Sequence, residues 1–171
     1  TSQLMKHISF VSQDNFLFNI SIKENIRMGN PCATDEEVLA AAKAARCDEF
    51  IRKMEYGYDT LVGDAGGKLS GGERQRITIA RAILKPADVV ILDEASAYAD
   101  PENEVYIEEA INELVKDKTL IVVAHRLETI ENSDKIVVVD QGKIVAEGTQ
   151  SELLKNCALY KRLWNETILT S

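Results

Sequence analysis

A chain of 171 residues with 45% hydrophobic content can bury one sizeable core, and 28% charged residues is ordinary for a globular domain. The net charge of -8 argues against a general nucleic-acid surface, which would be basic, but it leaves room for a nucleotide, because one phosphate pocket needs only local positive potential. Cys32, Cys47 and Cys157 show neither metal-ligand spacing nor a disulfide framework, so a reducing compartment is expected, and no apolar run approaches the roughly 18 residues of a membrane span. No signal peptide is legible, nor any internal repeat.

In chain order, Ile8–Val11 alternates as a strand after a short helix end, and Gln13 follows it at once. Phe16-Leu17-Phe18-Asn19-Ile20 is an unusually apolar loop, continued by Ile22, Ile26 and Met28, and reads as core or as a docking surface. From Thr34 to Met54 the pattern is helical. Thr34 and Glu37 form a capping box, Val38, Ala41, Ala42 and Ala45 fall at helical spacing, and Asp48 is expected to cap a second short helix. Gly57, Gly63, Gly66 and Gly67 lead into Leu69-Ser70-Gly71-Gly72-Glu73, where a loop becomes a helix that Pro86 ends.

Val89–Leu92 is an unbroken apolar run closed by Asp93 and Glu94, as in a parallel strand buried on both faces. Asp100-Pro101-Glu102 opens a helix with Ile107, Ala110, Ile111 and Leu114 as its buried stripe, and Thr119–Ala124 reads as a second buried strand ending at His125. Strand, helix and parallel strand then make a right-handed crossover that puts His125 on the sheet edge of Asp93 and Glu94. Ile136–Val139 and Lys143–Ala146 flank Gln141-Gly142 as a hairpin. Thr149 and Glu152 form a third capping box, opening a C-terminal helix with Leu153, Leu154, Leu159, Leu163 and Trp164 as apolar positions.

The chemistry gathers in three places. A helix opened by Ser70-Gly71-Gly72 presents free backbone N–H groups and the positive end of its dipole to an anion such as phosphate. Ser70 and Glu73 have the spacing of a capping box, so the same residues also fit a plain helix start. Asp93 can approach Mg²⁺, which prefers hard oxygen ligands, and Glu94 can orient an attacking water. Gln13 and His125 each follow a strand end, where ligand contacts cluster in α/β sheets.

Gln13, Leu69–Glu73, Val89–Glu94, Asp100 and His125 occur in the order and approximate spacing of an ABC-transporter nucleotide-binding domain, and the chain resembles that family over essentially its whole length. The apolar loop from Phe16 to Ile26 resembles the exporter branch, whose subunits fuse membrane and ATPase domains. The resemblance implies an α/β, partial P-loop NTPase fold: a mainly parallel sheet, an inserted helical subdomain, and a C-terminal hairpin plus helix. Residues 1–29 would form the Q-loop strand and docking loop, 30–86 the helical subdomain with the signature, and 87–171 the Walker B, D-loop and H-loop core.

It further implies ATP and Mg²⁺ as cofactors. Gln13 would sense Mg²⁺ and the attacking water. Ser70, Gly71, Gly72 and Glu73 would form the signature, which binds the γ-phosphate of ATP held by the opposite subunit. Asp93 would serve Mg²⁺, Glu94 would orient the water or act as base, Asp100 would lie at the dimer interface and His125 near the γ-phosphate. The implied partners are a second nucleotide-binding domain and a transmembrane domain docking near Gln13 to Ile26, with no nucleic acid, at the cytoplasmic face of the cell membrane. A non-catalytic module completing an ATP site on a full-length partner is the alternative; a soluble ABC-type ATPase working on DNA or ribosomes is disfavoured by the acidic charge and, for the DNA-linked members, by the short interval between Gln13 and Leu69.

Three departures stand out: Glu73 where glutamine is commonest, Ser96-Ala97-Tyr98-Ala99-Asp100 in the D-loop, and no G-x-x-x-x-G-K-[ST] in the chain. Hence the chain alone is expected to show negligible ATP hydrolysis. In this family the Walker A strand lies beside the strand ending at His125, and without it an apolar edge stands open. The isolated chain is therefore expected to be marginally stable or to need a partner; a cooperative, high-temperature melt of the purified monomer would contradict this.

Overall fold

The structure, a computed structural model, describes residues 2–12, 14–93, 101–124 and 127–170. The chain divides into two compact units, Thr1–Val123 and Ala124–Ser171.

In the first unit, β1 (Ile8–Val11), β2 (Val89–Asp93) and β3 (Thr119–Val123) form a parallel sheet in that order. The register pairs Val11 with Leu92 and Asp93 with Val123, so all three strands end at the same edge. Short α1 (Ser2–Lys6) precedes β1. Between β1 and β2 come α2 (Ile22–Arg27), α3 (Asp35–Ala44), α4 (Asp48–Ile51) and α5 (Gly71–Leu84), and α6 (Pro101–Val115) joins β2 to β3. This is the α/β architecture with a parallel sheet and inserted helices that the motifs imply.

One core holds the unit. Val11, Val90 and Leu92 from the sheet meet Ile77, Ile79 and Ala80 of α5, Ile107, Ala110 and Leu114 of α6, and Val38, Ala41 and Ala42 of α3. Ile22 and Ile26 belong to this core and sit on α2, where the sequence suggested a continuing apolar loop. Ser21 caps that helix, its hydroxyl accepting from the Glu24 N–H at 3.2 Å. A segment of 6 residues, too short for strong periodicity, therefore becomes a helix through its cap and its burial.

Two further expectations are corrected. Asp48 does not cap α4: Cys47 holds that position, and the Asp48 carboxylate instead accepts from the Tyr58 hydroxyl at 2.8 Å and pairs with Arg52. β3, expected to be buried, is exposed along its whole length. Among the described residues it is an edge strand of the sheet, as β1 is, and β2 buries only one face, through Val90 and Leu92. The apolar runs fit a sheet covered on both faces, while the described residues cover one.

In the second unit, β4 (Ile136–Asp140) and β5 (Lys143–Gly148) form an antiparallel hairpin. Gln141 (φ 46°) and Gly142 (φ 74°) are both left-handed, as a type I′ turn demands. Ile136 and Val138 pack with Leu153 and Tyr160. The single C-terminal helix foreseen is two, α7 (Gln150–Asn156) and α8 (Ala158–Thr170), because Cys157 is extended between them. The capping boxes of Thr34–Glu37, Ser70–Glu73 and Thr149–Glu152 are all formed.

Close approach of α2 to α5 requires Gly29. A Cβ there would stand 2.0 Å from the Arg81 carbonyl oxygen, a collision with backbone that no rotamer relieves. Gly29→Ala is expected to destabilise the protein by about 2 kcal/mol or more, read as a lowered urea midpoint; an unchanged midpoint would refute this close packing.

Candidate anion and nucleotide site

Helix α5 begins at the residues singled out for phosphate. Ser70 is extended (φ -64°, ψ 163°) and its hydroxyl accepts from the Glu73 N–H at 3.2 Å, while the Glu73 carboxylate accepts the Ser70 N–H at 2.8 Å. The first turn closes when the Arg74 N–H reaches the Ser70 carbonyl at 3.1 Å. Helix geometry leaves the N–H groups of Gly71 and Gly72 without an acceptor four residues back, at the positive end of the dipole. Glu73 thus completes the cap through Ser70 and not through the glycine amides.

The turn before the helix is built from left-handed residues, Gly63, Ala65 and Gly66. Gly66 abuts the Arg74 side chain, whose guanidinium donates to the Leu69 carbonyl at 2.6 Å. The approach to Ser70 is therefore fixed from both sides.

Gly72 has a different role from Gly71. It is buried, and a Cβ on it would fall 2.6–2.9 Å from the side chain of Asn103, in the first turn of α6. The Asn103 Oδ1 accepts from Arg76 at 3.0 Å, and Arg76 also donates to the carbonyls of Arg46 at 2.8 Å and Gly72 at 3.4 Å. Arg76 is only 5% exposed, and its guanidinium lies over the rings of Phe50 at 4.9 Å and Tyr106 at 5.2 Å. Carbonyl acceptors and two aromatic faces together compensate the desolvated charge. The start of α5 is in this way bolted to the start of α6, just after Asp100 in sequence.

Asp93 is the last residue of β2, half-buried, at the sheet edge where β1 and β3 also end. Ser70, Gly71, Gly72, Glu73 and Asp93 are thus placed; Gln13, Glu94, Asp100 and His125 lie outside the described residues. Val11, Asp93 and Val123 closely precede Gln13, Glu94 and His125 in sequence and share that edge. Among the described residues no three His, Cys, Asp or Glu side chains gather as a metal cluster. The Asp93 carboxylate is the kind of hard oxygen ligand that Mg²⁺ accepts alongside substrate phosphates and water.

Sequence reasoning missed Arg76, Asn103, Arg46 and Phe50 as supports of the site. The nearest signal was an arginine on the apolar side of α5 beside Ile77 and Ala80, but its acceptors come from residues 27 to 30 positions away. Gly72→Ala is expected to cost about 1–3 kcal/mol by displacing Asn103. Adding Asn103→Ala should recover part of that loss, so the double variant is less destabilised than the sum of the singles. Urea midpoints of the four proteins check it, and strict additivity would refute the contact.

The model of the family described as ABC transporter matches residues 1–97, more than half of the chain. A protein of Staphylococcus aureus strain NCTC 8325 named "Putative multidrug export ATP-binding/permease protein" is 49% identical over 165 residues, covering 96% of this chain and 28% of the relative. The protein of the same name from the bovine strain RF122 is 48% identical over the same length. Among solved structures, a bacterial Atm1-family ABC exporter with ATP bound superposes with a TM-score of 0.84 at 41% identity, over 96% of this chain and 29% of that one. The chain spans less than a third of the length of these relatives. With the signature, the strand-end carboxylate and the parallel sheet in place, the chain belongs to the ABC transporter family, within the ATP-binding part that its exporter relatives carry.

Proposed function

We propose that this chain is the signature-bearing part of an exporter's ATPase domain, in which ATP-driven pairing of two such domains moves a substrate across a membrane from its cytoplasmic face. The observation that carries the reading is the shared sheet edge. The parallel register ends β1, β2 and β3 together, so Gln13, Asp93, Glu94 and His125 enter the chain within two residues of one edge.

Asp93 has the chemistry to hold Mg²⁺. ATP supplies the phosphoryl group, and the chain's own residues supply position and charge. Glu94 orients the attacking water and accepts its proton; His125 stabilises charge at the γ-phosphate; Gln13 senses both from the end of β1. The Gly71 and Gly72 amides, with Ser70, face the γ-phosphate of ATP held by the opposing domain, and Asp100 lies in that interface. Phe16, Phe18 and Ile20, exposed on the loop after β1, dock the transmembrane domain, while Leu17, Ile22 and Ile26 stay in the core.

In the full-length protein, Glu94→Gln is expected to lower ATP turnover by about 10²- to 10⁴-fold, the usual range for a lost proton acceptor. ATP binding should persist, as read by equilibrium titration of a fluorescent ATP analogue. Turnover at the unsubstituted rate would remove Glu94 from this role. The 171-residue chain by itself should show no turnover above background, and hydrolysis by it that Glu94→Gln abolishes would overturn that expectation.

A further inference from the structure

The exposed aromatic loop leaves β1 in sequence but is fastened in space to α5. Arg81, in the third turn of α5, donates from Nε to the Asn25 carbonyl at 2.9 Å, from Nη2 to Asn25 Oδ1 at 3.1 Å and from Nη1 to the Phe16 carbonyl at 3.4 Å. Asn25 is fully buried. Its Oδ1 also accepts the Phe18 N–H at 2.9 Å, and its amide donates to the carbonyls of Phe18 at 2.9 Å and Ser21 at 3.1 Å. Two side chains therefore hold the backbone of the loop from Phe16 to Ser21.

The acceptors of Arg81 are all amide oxygens, and burial holds its guanidinium below the usual pKa. A half-buried charge of this kind is held in place by directed bonds. The loop it holds alternates outward and inward: Phe16 and Phe18 are 54% and 46% exposed, and Leu17 between them is fully buried. The two rings meet edge to face at 5.1 Å, which presents them as one apolar unit.

We propose that Arg81 is a positioning residue that locks the Phe16–Phe18 pair to the helix whose first turn carries Gly71 and Gly72, so that the aromatic pair and the anion-binding helix start move as one body. This rests on the reading of the loop as the transmembrane docking surface. A push delivered at the rings reaches α5 through Asn25 and Arg81. Lysine cannot replace arginine here, since a single ammonium cannot reach Asn25 Oδ1, the Asn25 carbonyl and the Phe16 carbonyl in one plane.

The test is a mutant cycle in the full-length protein reconstituted in lipid, with ATP turnover measured for Phe18→Ala, Arg81→Lys and the double variant. Each single change is expected to lower the maximal rate about 3- to 10-fold, with KM for ATP held within about twofold. The double variant should fall no further than Phe18→Ala alone. Hydrogen exchange should quicken at residues 16–21 in Arg81→Lys and stay unchanged at 74–80. Effects that multiply, an unchanged rate in Arg81→Lys, or loss of protection along α5 itself would each overturn the proposal. Asn25→Ser removes the other half of the fastening and enters the same cycle, so a folding failure of Arg81→Lys does not decide the matter. Turnover insensitive to Glu94→Gln would instead bring down the underlying functional reading; turnover abolished by Glu94→Gln with a multiplicative cycle would bring down the role of Arg81 alone.

Discussion

Two guanidinium groups inside one helix set the terms for the first unit. Arg76 and Arg81 both lie on α5, and the acceptors described for them are carbonyl and amide oxygens. A buried charge left without such partners costs several kcal/mol, so the surrounding backbone has to be delivered to them in fixed positions. Arg76 collects the carbonyl after α3, Asn103 at the start of α6 and the rings of Phe50 and Tyr106. Arg81 collects α2 and the loop after β1. Five segments are thereby tied to one axis, and the amides at the head of that axis inherit its rigidity.

The division of labour between the glycines at the head of α5 follows from the same constraint. Gly71 is exposed and Gly72 is pressed under Asn103, so the first leaves its backbone open to solvent and the second lets α6 come close. Adjacent in sequence, they answer to different physics. The capping glutamate is engaged with Ser70, whose N–H its carboxylate accepts at 2.8 Å.

What was legible in the sequence was what depends on neighbours a few residues apart. The capping boxes at Thr34, Ser70 and Thr149 and the left-handed Gln141-Gly142 turn are all local, and all formed as read. The order of motifs was also legible, and with it the family. Contacts across the chain were not. Nothing near Arg76 in sequence announces Phe50 or Tyr106, nothing near Asn25 announces Arg81, and the exposure of β3 depends on what packs beside it, which an apolar run does not specify. The helix break at Cys157 is likewise a backbone event with no proline or glycine to mark it.

The parallel register has a consequence for the order in which the molecule assembles. β2 and β3 are joined by one helix, so Val89 meets Thr119 across a short excursion. Ile8 must find Val89 across the entire helical insertion, a far larger loop to close. Of the two pairings, that of β1 with β2 spans the longer stretch of chain. The helices α2 to α5 can gather around the two arginines before β2 exists, and the sheet is then completed on a surface already made. Loop-closure entropy therefore weighs more heavily on the pairing of β1 than on that of β3.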